Sequence, residues 1–130
     1  MRILLDTHVW LWLIAEPERL SKAAAALVED PGNDLLLSAA SSFEIAIKHA
    51  LDKLRLPSAP ARYVPEQIER TGVTPVAIEH GHALAAGALP PHHRDPFDRL
   101  LIATAQLETV PVMTADRQFS PYDVEVLWAD

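Results

Sequence analysis

Apolar residues in this chain gather in short runs, and each run stops at a polar or acidic residue. Ile3, Leu4 and Leu5 form a triplet that ends at Asp6-Thr7, and Leu35, Leu36 and Leu37 form another that ends at Ser38. Val110-Pro111-Val112-Met113 repeats the pattern and ends at Thr114-Ala115-Asp116. Runs that are apolar at consecutive rather than alternating positions predict central parallel strands buried on both faces. Residues 73–78 allow a further strand if Pro75 lies at an edge or at the strand's end, because proline cannot donate to a ladder. Residues 123–128 supply a last edge strand.

Between these runs the spacing becomes helical. Residues 9–15 read as a short helix stopped by Glu16-Pro17, since the position before proline disfavours the α region. Trp10 and Trp12, two apart, cannot share a helical face, which leaves one of them available to a partner. Ser21 is placed to cap a helix over residues 22–29, and Pro31-Gly32-Asn33 forces the turn after it. Over residues 38–51, Phe43, Ile47, Ala50 and Leu51, continuing to Leu54, recur at three and four residues and predict a buried stripe with Glu44 on its border. A surface helix over residues 61–70 ends at Thr71-Gly72, and an alanine-rich helix covers residues 80–89. His80 and His82 do not share a face there, so they do not suggest a zinc pair. Asp95 followed by Pro96 marks a helix start with Asp95 as the cap and Asp98 in the third helical position.

Strands alternating with helices predict an α/β fold around a mainly parallel sheet. At 130 residues, with 49% apolar content, the chain is read as a single domain, residues 1–130, with one packed core. Eighteen acids against eleven bases give a net charge of −7, which argues against a broad nucleic-acid surface but not against a local, cation-neutralised site. With no cysteine there is no disulfide framework, no thiolate nucleophile and no Cys-based zinc site, and the cytosol is the expected compartment. The first residues fit neither a secretory signal nor a membrane span.

Four acids then change the picture. Taken singly each has an adequate ordinary role, among them Asp6 or Thr7 as a cap, Glu44 as an i,i+4 partner of Lys48 and Asp98 at the positive end of a helix dipole. All four, however, fall at strand carboxyl ends or near helix starts, and in a parallel sheet such positions converge on one crevice. Carboxylates gathered there repel one another unless protons or cations compensate. Oxygen ligands without Cys or paired His favour magnesium or manganese over zinc, and such ions polarise a phosphodiester and activate water.

The motifs Leu4-Leu5-Asp6-Thr7-His8, Ser42-Phe43-Glu44-Ile45-Ala46-Ile47-Lys48, Asp95-Pro96-Phe97-Asp98-Arg99-Leu100-Leu101-Ile102-Ala103 and Thr114-Ala115-Asp116 span essentially the whole chain. Together, in this order, they resemble the PIN-domain ribonucleases, and within them the VapC-type toxins of bacterial type II toxin–antitoxin pairs. The resemblance implies a three-layer α/β/α sandwich and a homodimer that cleaves RNA, together with a cognate antitoxin that inserts a segment into or beside the acidic groove. It maps Asp6, Glu44, Asp98 and Asp116 onto the acidic quartet that holds Mg²⁺ or Mn²⁺, with Thr7 and Thr114 as polar neighbours, and leaves Asp95 outside. Phe43 stands where relatives often carry Trp, and Asp52 where they often carry Gly. Lys48, Arg94, Arg99 and Arg117 lie beside the acids in sequence and are candidates for holding RNA phosphates; Lys48 and Arg99 are equally placed to pair with the quartet.

Other readings lose ground on particular residues. An Asp-x-His-x-His hydrolase motif meets Trp10 at its second histidine, and a (β/α)₈ barrel needs roughly 200 residues or more. An Asp-x-Asp phosphatase motif meets His8. The non-enzymatic alternative is a module of the same fold whose acids hold a structural ion or a basic peptide.

Overall fold

The computed structural model describes residues 1–130. The three apolar runs form strands β1 (Arg2–Leu5), β2 (Asp34–Ser38) and β4 (Val112–Thr114), joined by β3 (Thr74–Val76) and β5 (Val126–Trp128). All neighbouring pairs are parallel, in the order β3-β2-β1-β4-β5. The most apolar run is therefore central, and Ile3, Leu4 and Leu5 are fully buried. Pro75 sits in β3 at one edge, where a missing donor costs least. From β1 the chain builds outward to one side, then returns to place β4 and β5 on the other, so the β1/β4 boundary is where the strand order reverses. In open parallel sheets that boundary opens a crevice at the strands' carboxyl ends.

Alternation along each strand divides the core into two. Ile3, Leu5, Leu35, Leu37 and Met113 pack with Trp10, Ile45 and Val64 on one face. Leu4, Leu36 and Val112 pack with Leu101, Ile102, Ala105 and Phe119 on the other. The helices are α1 (Thr7–Ala15), α2 (Lys22–Glu29), α3 (Ala39–Ala50), α4 (Pro60–Thr71), α5 (His80–Ala88) and α6 (Pro96–Glu108), and of these α1, α3, α4 and α6 supply the partners just named, with Phe119 coming from the turn after β4. Their ends follow local chemistry. Ser21 accepts from the Ala24 amide at 3.1 Å, Ser38 from Ala40 at 3.0 Å, and Asp95 from Phe97 at 2.8 Å and Asp98 at 3.2 Å. Gly72 closes α4 in the left-handed region at φ 71°, which a side chain would strain. Helix α1 starts at Thr7, two residues before the apolar pattern suggests, because Asp6 is its cap.

Of the two tryptophans, Trp10 is fully buried and its indole N–H donates to Thr71 Oγ1 at 3.1 Å, whereas half-buried Trp12 lies under the Arg19 guanidinium at 4.2 Å. The predicted stripe of α3 is on the wrong face. Phe43, Ile47 and Leu51 are 57%, 38% and 59% exposed, Ala50 is exposed, and the buried residues are Ala40, Ser41, Glu44 and Ile45. Only Leu54 of the predicted set packs against the core. The helix is turned because it starts at the carboxyl end of β2 with Ser41 bonded to Thr7 (Oγ1 to Oγ, 2.8 Å), which sends Glu44 into the crevice and Ile45 into the core.

The rotation of α3 is testable by stability. Ile45→Ala is expected to cost about 2–5 kcal/mol of unfolding free energy, and Ile47→Ala about 1 kcal/mol or less. Urea titrations giving the reverse order would restore the predicted stripe.

Candidate active site

Leu5 ends β1, and the next residue has to leave the sheet at its carboxyl edge. Asp6 does so with 2% exposure, its Oδ1 accepting from the Thr7 amide at 2.7 Å and its Oδ2 from Thr114 Oγ1 at 2.7 Å. Thr114 Oγ1 itself accepts from the Asp116 amide at 3.0 Å, so its one hydroxyl proton is directed at Asp6. Asp116, following β4, accepts from the Gln118 amide at 2.9 Å. Glu44 enters from α3, with Oε2 held by Lys48 Nζ at 2.5 Å and Oε1 buried without any hydrogen-bond partner. Asp98 enters from the first turn of α6, beside Asp95, whose Oδ1 takes both cap bonds while the residue also lines the cleft.

Carboxylate oxygens of Asp6, Glu44 and Asp98 lie within 4.8 Å of one another. Asp116 is not in that group. It belongs to a second one of the same span with Asp98 and His93, so Asp98 is common to both. The four acids and His93 thus form two overlapping triads, and the acids line a cleft of about 370 Å³ together with Thr7, His8, Lys48 and Lys53. Thr7 and Thr114 sit where the sequence reading puts them, as polar neighbours of the acids.

Burial and crowding govern the charges. Burial, reinforced by the charges of Asp6, Asp95, Glu44 and Asp116, pushes the Asp98 carboxyl up to about 9. Burial also raises Asp6, against the opposing pull of His8, of the Thr114 hydroxyl and of the Thr7 amide. For Lys48 burial acts downward, but its hydrogen bond to Glu44 and the surrounding acids outweigh it and keep the ammonium above its ordinary value. A divalent ion suits this set. The free donors are hard carboxylate oxygens, and the orphaned Glu44 Oε1 is a buried acceptor of the kind that a cation satisfies.

Two of the arginines are engaged elsewhere, and a third lies on another face. Arg99 donates to the carbonyls of Ala86, Gly87, Leu89, Pro90 and His93 and pairs with none of the four acids, so it fastens the end of α5 and the following loop to α6. Arg117 pairs with Asp130 at 3.1 Å and stacks on Trp128 at 4.0 Å. Arg94 lines a separate groove between α5 and α6. In their place stand two residues outside the predicted set. Lys53 faces the cleft. His93, 6% exposed, puts Nε2 2.9 Å from both Asp98 Oδ2 and Asp116 Oδ2. Neither had a local signal: Lys53 follows the helix that the pattern places the other way round, and His93 meets an acid 23 positions away.

With this geometry in hand, comparison with known proteins gives a direct match. The profile of the PIN domain family covers residues 3–125. The chain belongs to the PIN-domain family. This PIN domain is 36% identical over 121 residues to Ribonuclease VapC22 of Mycobacterium tuberculosis (strain ATCC 25618 / H37Rv), covering 89% of the chain and 88% of that protein. It is 47% identical over 57 residues to Ribonuclease VapC16 of the same strain, a match spanning 44% of the chain and only 40% of that protein. The PIN fold also superposes on VapBC2 from Rickettsia felis, solved bound to a DNA fragment from its promoter, with a TM-score of 0.73 at 14% identity over 100% of both chains.

The crowded acids predict a pH signature in the cation-free PIN domain. Unfolded, Asp98 titrates near 3.8; folded, it keeps its proton to about 9, so between these values the folded state holds the extra proton. Stability is therefore full below the lower value and is lost as pH rises through the upper one. In EDTA the melting temperature is expected to fall across that window, and Asp98→Asn to flatten the fall. Parallel pH profiles for the two proteins would refute the assignment.

Proposed function

We propose that this chain is a metal-dependent endoribonuclease and the toxin of a VapC-type type II toxin–antitoxin pair, hydrolysing RNA phosphodiester bonds to stop translation. The observation that carries the reading is the triad Asp6, Glu44 and Asp98 at the switch point of a parallel sheet, with one Glu44 oxygen buried and unpartnered. Asp6, Glu44 and Asp98 would hold Mg²⁺ or Mn²⁺, and Asp116 extends the acidic surface beyond Asp98. A divalent ion at such a site supplies Lewis-acid polarisation of the phosphodiester and lowers the pKa of bound water.

The chain's own residues do the rest. Thr114 and the Thr7 amide fix both Asp6 oxygens, so the carboxylate needs no reorganisation when charge arrives. Lys48 and Lys53 line the same cleft and are the cations placed to hold RNA phosphates; Lys48 does so while still paired with Glu44. A basic antitoxin segment is complementary to that field, because Arg or Lys placed among the acids mimics the cation and excludes it. The exposed apolar face of Phe43 and Ile47 on α3 and of Leu51 at its C-cap supports a homodimer. No helix is long and apolar enough to cross a membrane. An RNA substrate and a cysteine-free chain favour the cytoplasm as the place of action.

The test joins a binding readout to an activity readout. Mn²⁺ is expected to raise the melting temperature and, at neutral pH, to displace protons from the cluster, seen as a buffer-dependent heat of binding. RNA cleavage should require Mg²⁺ or Mn²⁺ and stop with chelator. Asp6→Asn is expected to lower cleavage about a hundredfold or more while the cation-free protein stays folded, since the repelling charge it removes offsets the donor-against-donor contact its amide makes with Thr7 or Thr114. Asp95→Asn should cleave within about threefold of the parent, because Asn caps a helix as well as Asp. Mn²⁺ binding without RNA cleavage would leave a metal-binding module. Cleavage by Asp6→Asn at the parent's rate would remove Asp6 from the cation site.

A further inference from the structure

His93 directs one ring nitrogen, Nε2, into the candidate site and turns the other, Nδ1, to the chain. Nδ1 lies 3.3 Å from the backbone nitrogen of Asp95, and an amide N–H can only donate, so Nδ1 carries a lone pair. The ring proton is then on Nε2, which is 2.9 Å from an oxygen of Asp98 and 2.9 Å from an oxygen of Asp116. In this tautomer the ring offers no lone pair to a cation and no free acceptor to a water. Direct ligation and general-base chemistry are both excluded by the arrangement.

We infer that His93 is a positioning residue: by sharing one Nε2–H between Asp98 and Asp116 it fixes the two carboxylates relative to each other, and through Asp98 it orients the triad with Asp6 and Glu44. The inference rests on reading the carboxylates as a cation site. A donor without net charge suits the task, since it reduces repulsion between two acids without installing a positive charge that would compete with the ion. The backbone of His93 is held independently of its ring. Its N–H donates to Tyr122 Oη at 2.8 Å, Tyr122 donates onward to the Pro90 carbonyl at 2.6 Å, and the His93 carbonyl accepts from Arg99 at 3.0 Å. Changing the side chain therefore leaves the loop's anchors in place.

His8 shows the same device in a looser form. Its Nε2 accepts from the Ala115 amide at 3.2 Å, which leaves the proton on Nδ1, 3.4 Å from Asp6 Oδ2. At both rings a backbone amide selects the tautomer and the opposite nitrogen faces a carboxylate. His93 differs in being buried and in reaching two acids at hydrogen-bonding distance.

Two measurements test the inference. Nitrogen NMR of the ring in the full-length, cation-free protein is expected to show Nε2 protonated and Nδ1 bare; a proton on Nδ1 would overturn it. Mn²⁺ affinity and RNA cleavage are then compared in the parent, His93→Leu and His93→Gln. His93→Leu is expected to lose about 10–100-fold in Mn²⁺ affinity, while His93→Gln, whose amide nitrogen can replace Nε2, stays within about threefold. Affinity in His93→Leu equal to the parent's, no rescue by Gln, or electron-spin-echo coupling of a ring nitrogen to bound Mn²⁺ would each overturn it. Should His93→Leu fail to fold, the Gln variant, the spin-echo signal and the ring tautomer decide. A parent that binds Mn²⁺ but cleaves no RNA refutes the nuclease reading and leaves the His93 inference standing on the tautomer and the affinities.

Discussion

Desolvation of carboxylates at the end of an apolar strand is the constraint on which the rest of this molecule turns. Burying Ile3, Leu4 and Leu5 completely is favourable by roughly 1.5–3 kcal/mol for each side chain, and it is this burial that carries Asp6 to 2% exposure at the strand's end. An isolated buried carboxylate is costly, and α1 and β4 supply donors to it: the Thr7 amide, the Thr114 hydroxyl and, at longer range, His8. The α6 and α3 acids arrive in the same low-dielectric space, and there the donors fall short. Asp98 keeps its proton to about 9 and Glu44 leaves one oxygen unpaired. At this edge the four acids outnumber the cations that reach them, Lys48 and Lys53.

How much of this could be read from the residues depends on whether the cause was local. Asp6 and Asp116 stand out because the strands that deliver them are consecutive apolar runs with abrupt ends. Asp95 and Asp98 separate because Asp95-Pro96 is a capping signal that commits one acid and frees the other, and the hydrogen bonds from Phe97 and Asp98 to Asp95 Oδ1 bear that out. Helix α3 misleads for a physical reason. Periodicity reports which residues are apolar, not which face meets the sheet, and here a buried Glu44 and Ser41 displace Phe43 and Ile47 to the surface. Lys53, past the end of α3, lines the cleft. Arg99 is misplaced for a related cause: adjacency in sequence to Asp98 puts it on the next face of α6, where five carbonyls of the α5 end and its loop take it.

His93 marks the limit of that kind of reading. A Pro-Pro-His-His-Arg loop carries no periodicity, and the two acids that give the ring its meaning come from α6 and from the turn after β4. What makes the loop ordered is equally remote, a Tyr122 hydroxyl that takes the His93 amide and closes on Pro90. Tertiary contacts of this sort decide which of two histidines side by side is buried: His93 is, and His92, packed edge-on against Tyr122 at 5.2 Å, is exposed.

Charge balance then orders events at the cleft on the nuclease reading. The chain carries −7 overall, and of the two lysines lining the cleft, Lys48 is already paired with Glu44. An incoming phosphodiester therefore meets net negative potential until a divalent ion is bound, and binding that ion also removes the reason for Asp98 to hold its proton. Cation binding, deprotonation of Asp98 and admission of the polyanion are in this way one coupled equilibrium, in which each step lowers the electrostatic cost of the next. On the same reading, a basic antitoxin segment would enter this equilibrium from the opposite side. It would need no cation to be attracted, and by neutralising the acids directly it would withdraw the field on which both ion and RNA would depend.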